Sequence, residues 1–146
     1  MIDVLPADEV ERLFVETFFV KDRQDRALYL LASKKKRRDF FGPLGGADLR
    51  LRAECIHDLP PCEPSKALGV ILAAVRARGA EKVGYLMSYF VEIDRQFVPL
   101  EDGLSICLNS PMGGVFVCGA KVGFIQGERM AASPPRSILC CSGNPL

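Results

Sequence analysis

Three groups of residues have the types and spacing that chemistry would need. Glu92 and Asp94, with Ser88 before them and Glu101 and Asp102 after, cluster past a predicted strand end. Carboxylates placed there hold the ions of metal-dependent hydrolases and nucleases, where the metal activates water. Acids equally suit an exposed turn and the first turn of a helix, so the catalytic reading of Glu92, Asp94 and Ser88 stands beside a structural one. The second group is Cys55, His57 and Cys62, with Cys140 and Cys141 as completing partners. Zinc requires about four nitrogen or sulfur ligands in a tetrahedron. The chain has no Cys-x-x-Cys and a single histidine, His57, so the same residues also read as ordinary thiols, and no cofactor is expected. Gly113-Gly114 lacks the Lys-Ser/Thr of a phosphate-binding loop.

The third group is the run Lys34-Lys35-Lys36-Arg37-Arg38, which Arg23, Arg26, Arg50 and Arg52 extend. Cations in such density track phosphates and give salt-sensitive nucleic-acid binding. Read as a helix, consecutive residues point all around its axis and form no single patch. No zinc finger or stacking motif accompanies the run. The acidic first helix is an alternative partner for it within the fold.

Charge is polarised along a chain that is nearly neutral as a whole. Residues 1–20 hold five acids and one base, whereas residues 21–52 hold ten bases and four acids, against a net charge of +1 for all 146 residues. That balance argues against a globally basic polyanion binder. Hydrophobic residues are 49% and charged residues 25%, as expected of a globular chain with a core. No run reaches the ~18 apolar residues of a membrane span. The acidic N-terminus is unlike a signal peptide, so a cytoplasmic protein with reduced cysteines is expected, each thiol acting as a small hydrophobe.

The elements that must position these residues follow from periodicity. Val10, Leu13, Phe14, Thr17 and Phe18 recur at helical spacing, with Glu9, Glu11, Arg12 and Glu16 ringing the other face. Asp8 is the expected N-cap, with Glu11 reaching back to it. Helices are predicted again over 23–32, capped by Asp22, and over 34–41, capped by Ser33. Phe14, Phe18, Leu28, Leu31, Phe40 and Phe41 are their expected core. A Gly- and Pro-punctuated connector spans 42–64, in which Leu49 and Leu51 alternate with Arg50 and Arg52. Pro64 and Gly79 bracket a central helix over 65–78.

A strand over 82–89, a turn at Asp94-Arg95-Gln96 and a crossover helix from Pro99 to about Asn109 come next. A hairpin then pairs Val115–Cys118 with Val122–Ile125 across Gly119-Ala120-Lys121, and a last strand runs near 137–141. The expectation is an α+β fold in one domain: helices at about 7–41, the connector at 42–64, and an α/β part at 65–146. Its sheet is expected to be small and mixed, with a crossover helix at about 100–109 giving a parallel pair.

Phe18-Phe19-Val20-Lys21-Asp22-Arg23, with the basic run ending in Phe40-Phe41, resembles the opening of a family of small bacterial proteins of unknown function. Glu92-Ile93-Asp94 followed by Pro99-Leu100-Glu101 resembles its middle. Val117-Cys118-Gly119-Ala120-Lys121, running into Phe124-Ile125-Gln126-Gly127-Glu128, is similar to its end. The resemblance covers about residues 14–128. It departs at Arg95, where the family has a turn glycine, and at Gly119-Ala120, where it has Pro-Gly. It implies one bacterial domain with helices first and sheet last, and no activity.

The leading expectation is a non-enzymatic interaction protein (accessory, adaptor or immunity-type) that binds another macromolecule, a protein first of all. The outer face of helix 65–78 or the connector would make the contact. One alternative is a nucleic-acid-binding regulator using Lys34, Lys35, Lys36, Arg37 and Arg38. The other is a metal-dependent hydrolase or nuclease using Glu92 and Asp94.

Overall fold

The structure, a computed structural model, describes residues 1–41, 51–127 and 135–141. Residues 42–50 of the expected connector, Leu49 and Arg50 among them, lie outside the described residues, as does the Glu128 end of the family-like segment.

The chain folds as α+β, with helices on both faces of one six-stranded sheet of order β1-β6-β5-β4-β2-β3. The helices are α1 (Ala7–Phe18), α2 (Lys21–Ala32), α3 (Arg37–Phe41), α4 (Pro64–Ala77) and α5 (Leu100–Leu108). The strands are β1 (Ile56–Asp58), β2 (Val83–Met87), β3 (Gln96–Pro99), β4 (Gly114–Gly119), β5 (Val122–Gln126) and β6 (Arg136–Cys140).

Side-chain alternation builds the two layers. Tyr85, Met87, Val115, Val117, Ile125 and Leu139 face the helical trio α1–α3, which brings Val10, Phe14, Phe18, Leu31, Phe40 and Phe41. Their neighbours along the strands, Leu86, Phe116, Phe124 and Ile138, face α4 and α5, which bring Ile71, Val75, Leu104 and Cys107. Because both faces are covered, β4 and β5 are buried from end to end and read as continuous apolar runs rather than alternating ones. The aromatic core expected of the N-terminal helices is in place: Phe14, Phe18, Leu31, Phe40 and Phe41 are buried, and Leu28 packs against them.

The sheet corrects one expectation. Among the described residues every strand pairing is antiparallel, where a mixed sheet with an adjacent parallel pair is expected from the sequence. The cause is β3, a four-residue edge strand inside the segment read as turn and helix start. It reverses the chain, so α5 connects β3 to β4. Those two strands run the same way but have β2 between them. Pro99 ends β3 at the sheet edge, where a missing N–H costs no ladder bond.

Phe116 decides how closely α5 approaches the sheet. A Cβ on Gly103 of α5 would lie 2.1 Å from its ring, and one on Gly84 of β2 would lie 2.4 Å from it. Two glycines thus form the notch that seats a fully buried ring.

The helix starts differ in detail. Ser33 is the C-cap of α2; its Oγ accepts the Lys36 N–H at 3.3 Å inside the turn that follows, so it does not cap α3, which starts at Arg37. At α1 and α2 the cap positions are Pro6 and Val20, with no side-chain cap bond, so neither Asp8 nor Asp22 caps. Asp8 and Glu11 are engaged elsewhere.

Candidate functional site

The turn between β2 and β3 collects the charged residues into one cluster. Asp94 Oδ1 accepts the Ser88 backbone N–H at 2.9 Å, which folds the turn back on the strand end. Arg95 follows with φ +64, the left-handed region that glycine enters freely and other residues enter at a cost of about 1 kcal/mol. The reversal aims Arg95 at α1: Nη2 donates to Asp8 at 2.7 Å, and Nη1 donates to Glu11 at 3.2 and 3.3 Å.

Glu11 lies on the buried side of α1 at 4% exposure, and not on the solvent face where the sequence reading put it. The helical wheel carries the reason: Val15 and Phe18, four and seven residues on, share its side. Arg37, the first residue of α3, meets it fork to fork, with Nη1 and Nη2 each 2.7 Å from a Glu11 oxygen. The same guanidinium donates to Asp94 through Nε at 2.5 Å and Nη2 at 3.0 Å, and to the Leu31 carbonyl at 3.0 Å. All five donors of an arginine are thereby used. Tyr85 Oη donates to Glu11 Oε2 at 2.5 Å from β2.

This arrangement is a buried ionic clamp. Burial alone lowers the Arg37 pKa, but hydrogen bonds to Asp94 and then Glu11, with their charges, outweigh it and hold the group above its usual range. Tyr85 moves upward too, first through burial and then through its hydrogen bond to Glu11 and that carboxylate's charge, so the phenol stays a neutral donor. Glu11 accepts from Arg37, Arg95 and Tyr85, and Asp94 from Arg37 and Ser88. With cations seated on both carboxylates, the cluster joins α1, α3 and the β2–β3 turn.

The remaining candidates are dispersed. Glu92 is exposed in the turn. Glu101 and Asp102 occupy the first turn of α5. Glu101 borders a shallow hollow of about 240 Å³ shared with Arg76, Glu81 and Lys82. Ser88 Oγ accepts the Phe90 N–H at 3.1 Å. Among the described residues no three His, Cys, Asp or Glu side chains converge as metal ligands.

Cys55 is joined to Cys141 in a disulfide, which corrects the expectation of six reduced thiols and removes Cys55 from any ligand set. The pairing follows from β1 lying beside β6, so that the residues flanking that ladder meet. His57 Nε2 donates to the Cys140 carbonyl at 3.1 Å. Cys62 is an exposed thiol outside the disulfide, and Cys107, Cys118 and Cys140 are buried.

The basic run is split by the fold. Lys34, Lys35 and Lys36 form a turn between α2 and α3, not a helix, and are exposed together with Arg38. Only Arg37 points inward. Among the described residues these four exposed cations make no ion pair. Lys21, Arg23 and Arg26 are exposed on α2, against Asp22, Asp25 and Asp39. Arg52 is turned away, donating to the Phe19 carbonyl at 3.0 Å. Two tyrosines stand among these cations. Tyr29, 51% exposed, has Arg26 and Lys36 within 5.5 and 5.4 Å of its ring, and Arg38 lies 5.1 Å from the Tyr89 ring. The sequence reading did not single out either tyrosine, although Tyr29 falls on the outer side of α2 by its spacing from the buried Ala27 and Leu31.

Compared with known proteins, the chain matches no family model, no curated protein and no solved structure. The resemblance to a bacterial family gains nothing from these comparisons.

Proposed function

We propose that the protein is a non-enzymatic binding module that engages an anionic macromolecule through the turn between α2 and α3. One observation carries the reading. Of the five consecutive cations, Arg37 is consumed by the clamp, whereas Lys34, Lys35, Lys36 and Arg38 are held outward with no ion-pair partner among the described residues. The clamp fixes the start of α3 and so fixes where those four charges project. The outer face of α4 offers less to a partner, because Val70 is its only exposed large hydrophobic residue. The hydrolase reading loses the support that gave rise to it, since Asp94 is seated on Arg37 and Glu92 stands apart.

No helix among the described residues is long and apolar enough to cross a membrane. A cytoplasmic setting requires the Cys55–Cys141 bond to form only transiently, since lasting disulfides belong to oxidising compartments.

The test is retention on a heparin column, a generic polyanion, at increasing salt. Lys34→Ala combined with Lys35→Ala, Lys36→Ala and Arg38→Ala is expected to abolish retention while leaving the melting curve in place. Equal retention of the native protein and the fourfold variant overturns the reading.

A further inference from the structure

We infer that the anionic partner is a single-stranded nucleic acid, held by its phosphates on Lys34, Lys35, Lys36 and Arg38 and by its bases on Tyr29. The inference rests on the polyanion reading above and adds the class of partner.

Cations alone do not distinguish one polyanion from another. The aromatic rings among them do. Tyr29 is half exposed, with Arg26 and Lys36 5.5 and 5.4 Å from its ring centre, so a planar ligand that displaces one of them to stack on the ring stays within reach of cationic side chains. Lys36 sits on the α2–α3 turn, and Arg38, two residues on, covers Tyr89 in the same way. Alternating rings and cations are the equipment of proteins that bind unpaired strands, in which bases stack on aromatic faces and the backbone follows basic side chains.

A duplex hides its base faces and leaves the tyrosine without a role. The commonest duplex readers also project an exposed helix into the major groove. Here the lysines crowd a turn, and α3 has five residues with Phe40 and Phe41 buried. A chain of acidic side chains such as poly-glutamate has no aromatic ring to stack on Tyr29.

The experiment measures binding of the full chain to fluorescent single-stranded DNA and RNA, to the matching duplexes, and to poly-glutamate, from low to moderate salt. The expected result is preference for single strands, with a log–log salt slope near −3 for about four phosphate contacts. Tyr29→Ala is expected to weaken binding about 5- to 100-fold and Tyr29→Phe to restore it, because stacking needs the ring and not the hydroxyl. Melting curves of both variants control for folding, and Tyr89→Leu examines the second ring.

Equal affinity for duplex and single strands, or no effect of Tyr29→Ala, overturns this inference and leaves the polyanion reading standing. Binding to poly-glutamate alone does the same. Absence of binding to every polyanion overturns both.

Discussion

Replacing Arg37 by methionine is the most direct test of the clamp. Methionine keeps much of the volume and removes all the donors. Asp94 is left with the Ser88 N–H alone, while Glu11 keeps Tyr85 and Arg95. Side-chain exposure is 5% for Glu11 and 11% for Asp94, so neither carboxylate is freely rehydrated. Removing one partner of such a buried pair costs about 3–5 kcal/mol, mostly from the charge left behind. Arg95 still faces Glu11, which places the expected loss near the lower end, about 3 kcal/mol. At about 3 °C per kcal/mol for a chain of this size, the melting temperature falls by about 10 °C. Urea unfolding at pH 7 reads the loss directly, and Glu11→Gln completes a double-mutant cycle with expected coupling of at least about 1 kcal/mol. Moderate salt should change the result little, because buried pairs are weakly screened. A loss under about 1 kcal/mol, or one that disappears in salt, would refute the argument that this cluster fixes α3 and its lysine turn.

Three further outcomes follow from other parts of the fold. Gly103→Ala drives a methyl into the Phe116 ring and is expected to cost about 1–3 kcal/mol, read by urea unfolding; an unchanged midpoint would show that the notch has slack. Thiol titration of denatured, unreduced protein is expected to fall two short of the six cysteines, because Cys55 and Cys141 are bridged, and Cys141→Ser to lose up to about 4.5 kcal/mol from a bridge with a sequence separation of 86; a count of six denies the bond. Burial pushes the Cys107 thiol up to about 12 and raises Cys118 and Tyr85 as well. A group whose pKa is raised by folding stabilises fully below its unfolded value and loses that contribution as pH rises toward the folded one. Stability is therefore expected to be level up to about pH 9 and then to fall by about 1.4 kcal/mol per pH unit for each of the two thiols, with Tyr85 adding its share above about pH 10; melting curves flat to pH 10.5 contradict this.

Much of the fold was legible because its pieces are long and apolar on a regular period. The Val10–Phe14–Phe18 stripe, the Pro64 start of α4 and the apolar runs of β4 and β5 each produced an element close to its observed bounds. The two strands that escaped are the sheet edges. β1 has three residues and β3 has four, and their partners β6 and β2 lie 79 and 10 residues away at the closest pairings, Asp58–Ser137 and Leu86–Gln96. Strand pairing at such short length is decided by tertiary contact and not by local propensity. Missing β3 also misassigned the direction of β4, since one added strand reverses everything after it. The disulfide was hidden for the same reason: nothing near Cys55 or Cys141 announces a neighbour that only the β1–β6 ladder brings close.

The charged residues were legible one by one and misleading as a group. Asp94 drew attention as a carboxylate past a strand end, and that position is real, but the arginine that occupies it comes from 57 residues earlier. Glu11 was assigned to solvent by its charge, although its spacing from Val15 and Phe18 sets it on the buried side. Here periodicity and residue type disagree. Periodicity was the better guide, because burying a carboxylate is tolerable once Arg37, Arg95 and Tyr85 satisfy it. The basic run shows the converse. Taken as a helix, its five cations point in every direction and form no surface; as a turn followed by a helix start, one cation goes inward and anchors the other four outward. The inward arginine and the outward lysines are therefore parts of one device, and a substitution at Arg37 should disturb ligand binding by moving the turn, with no change in exposed charge beyond its own.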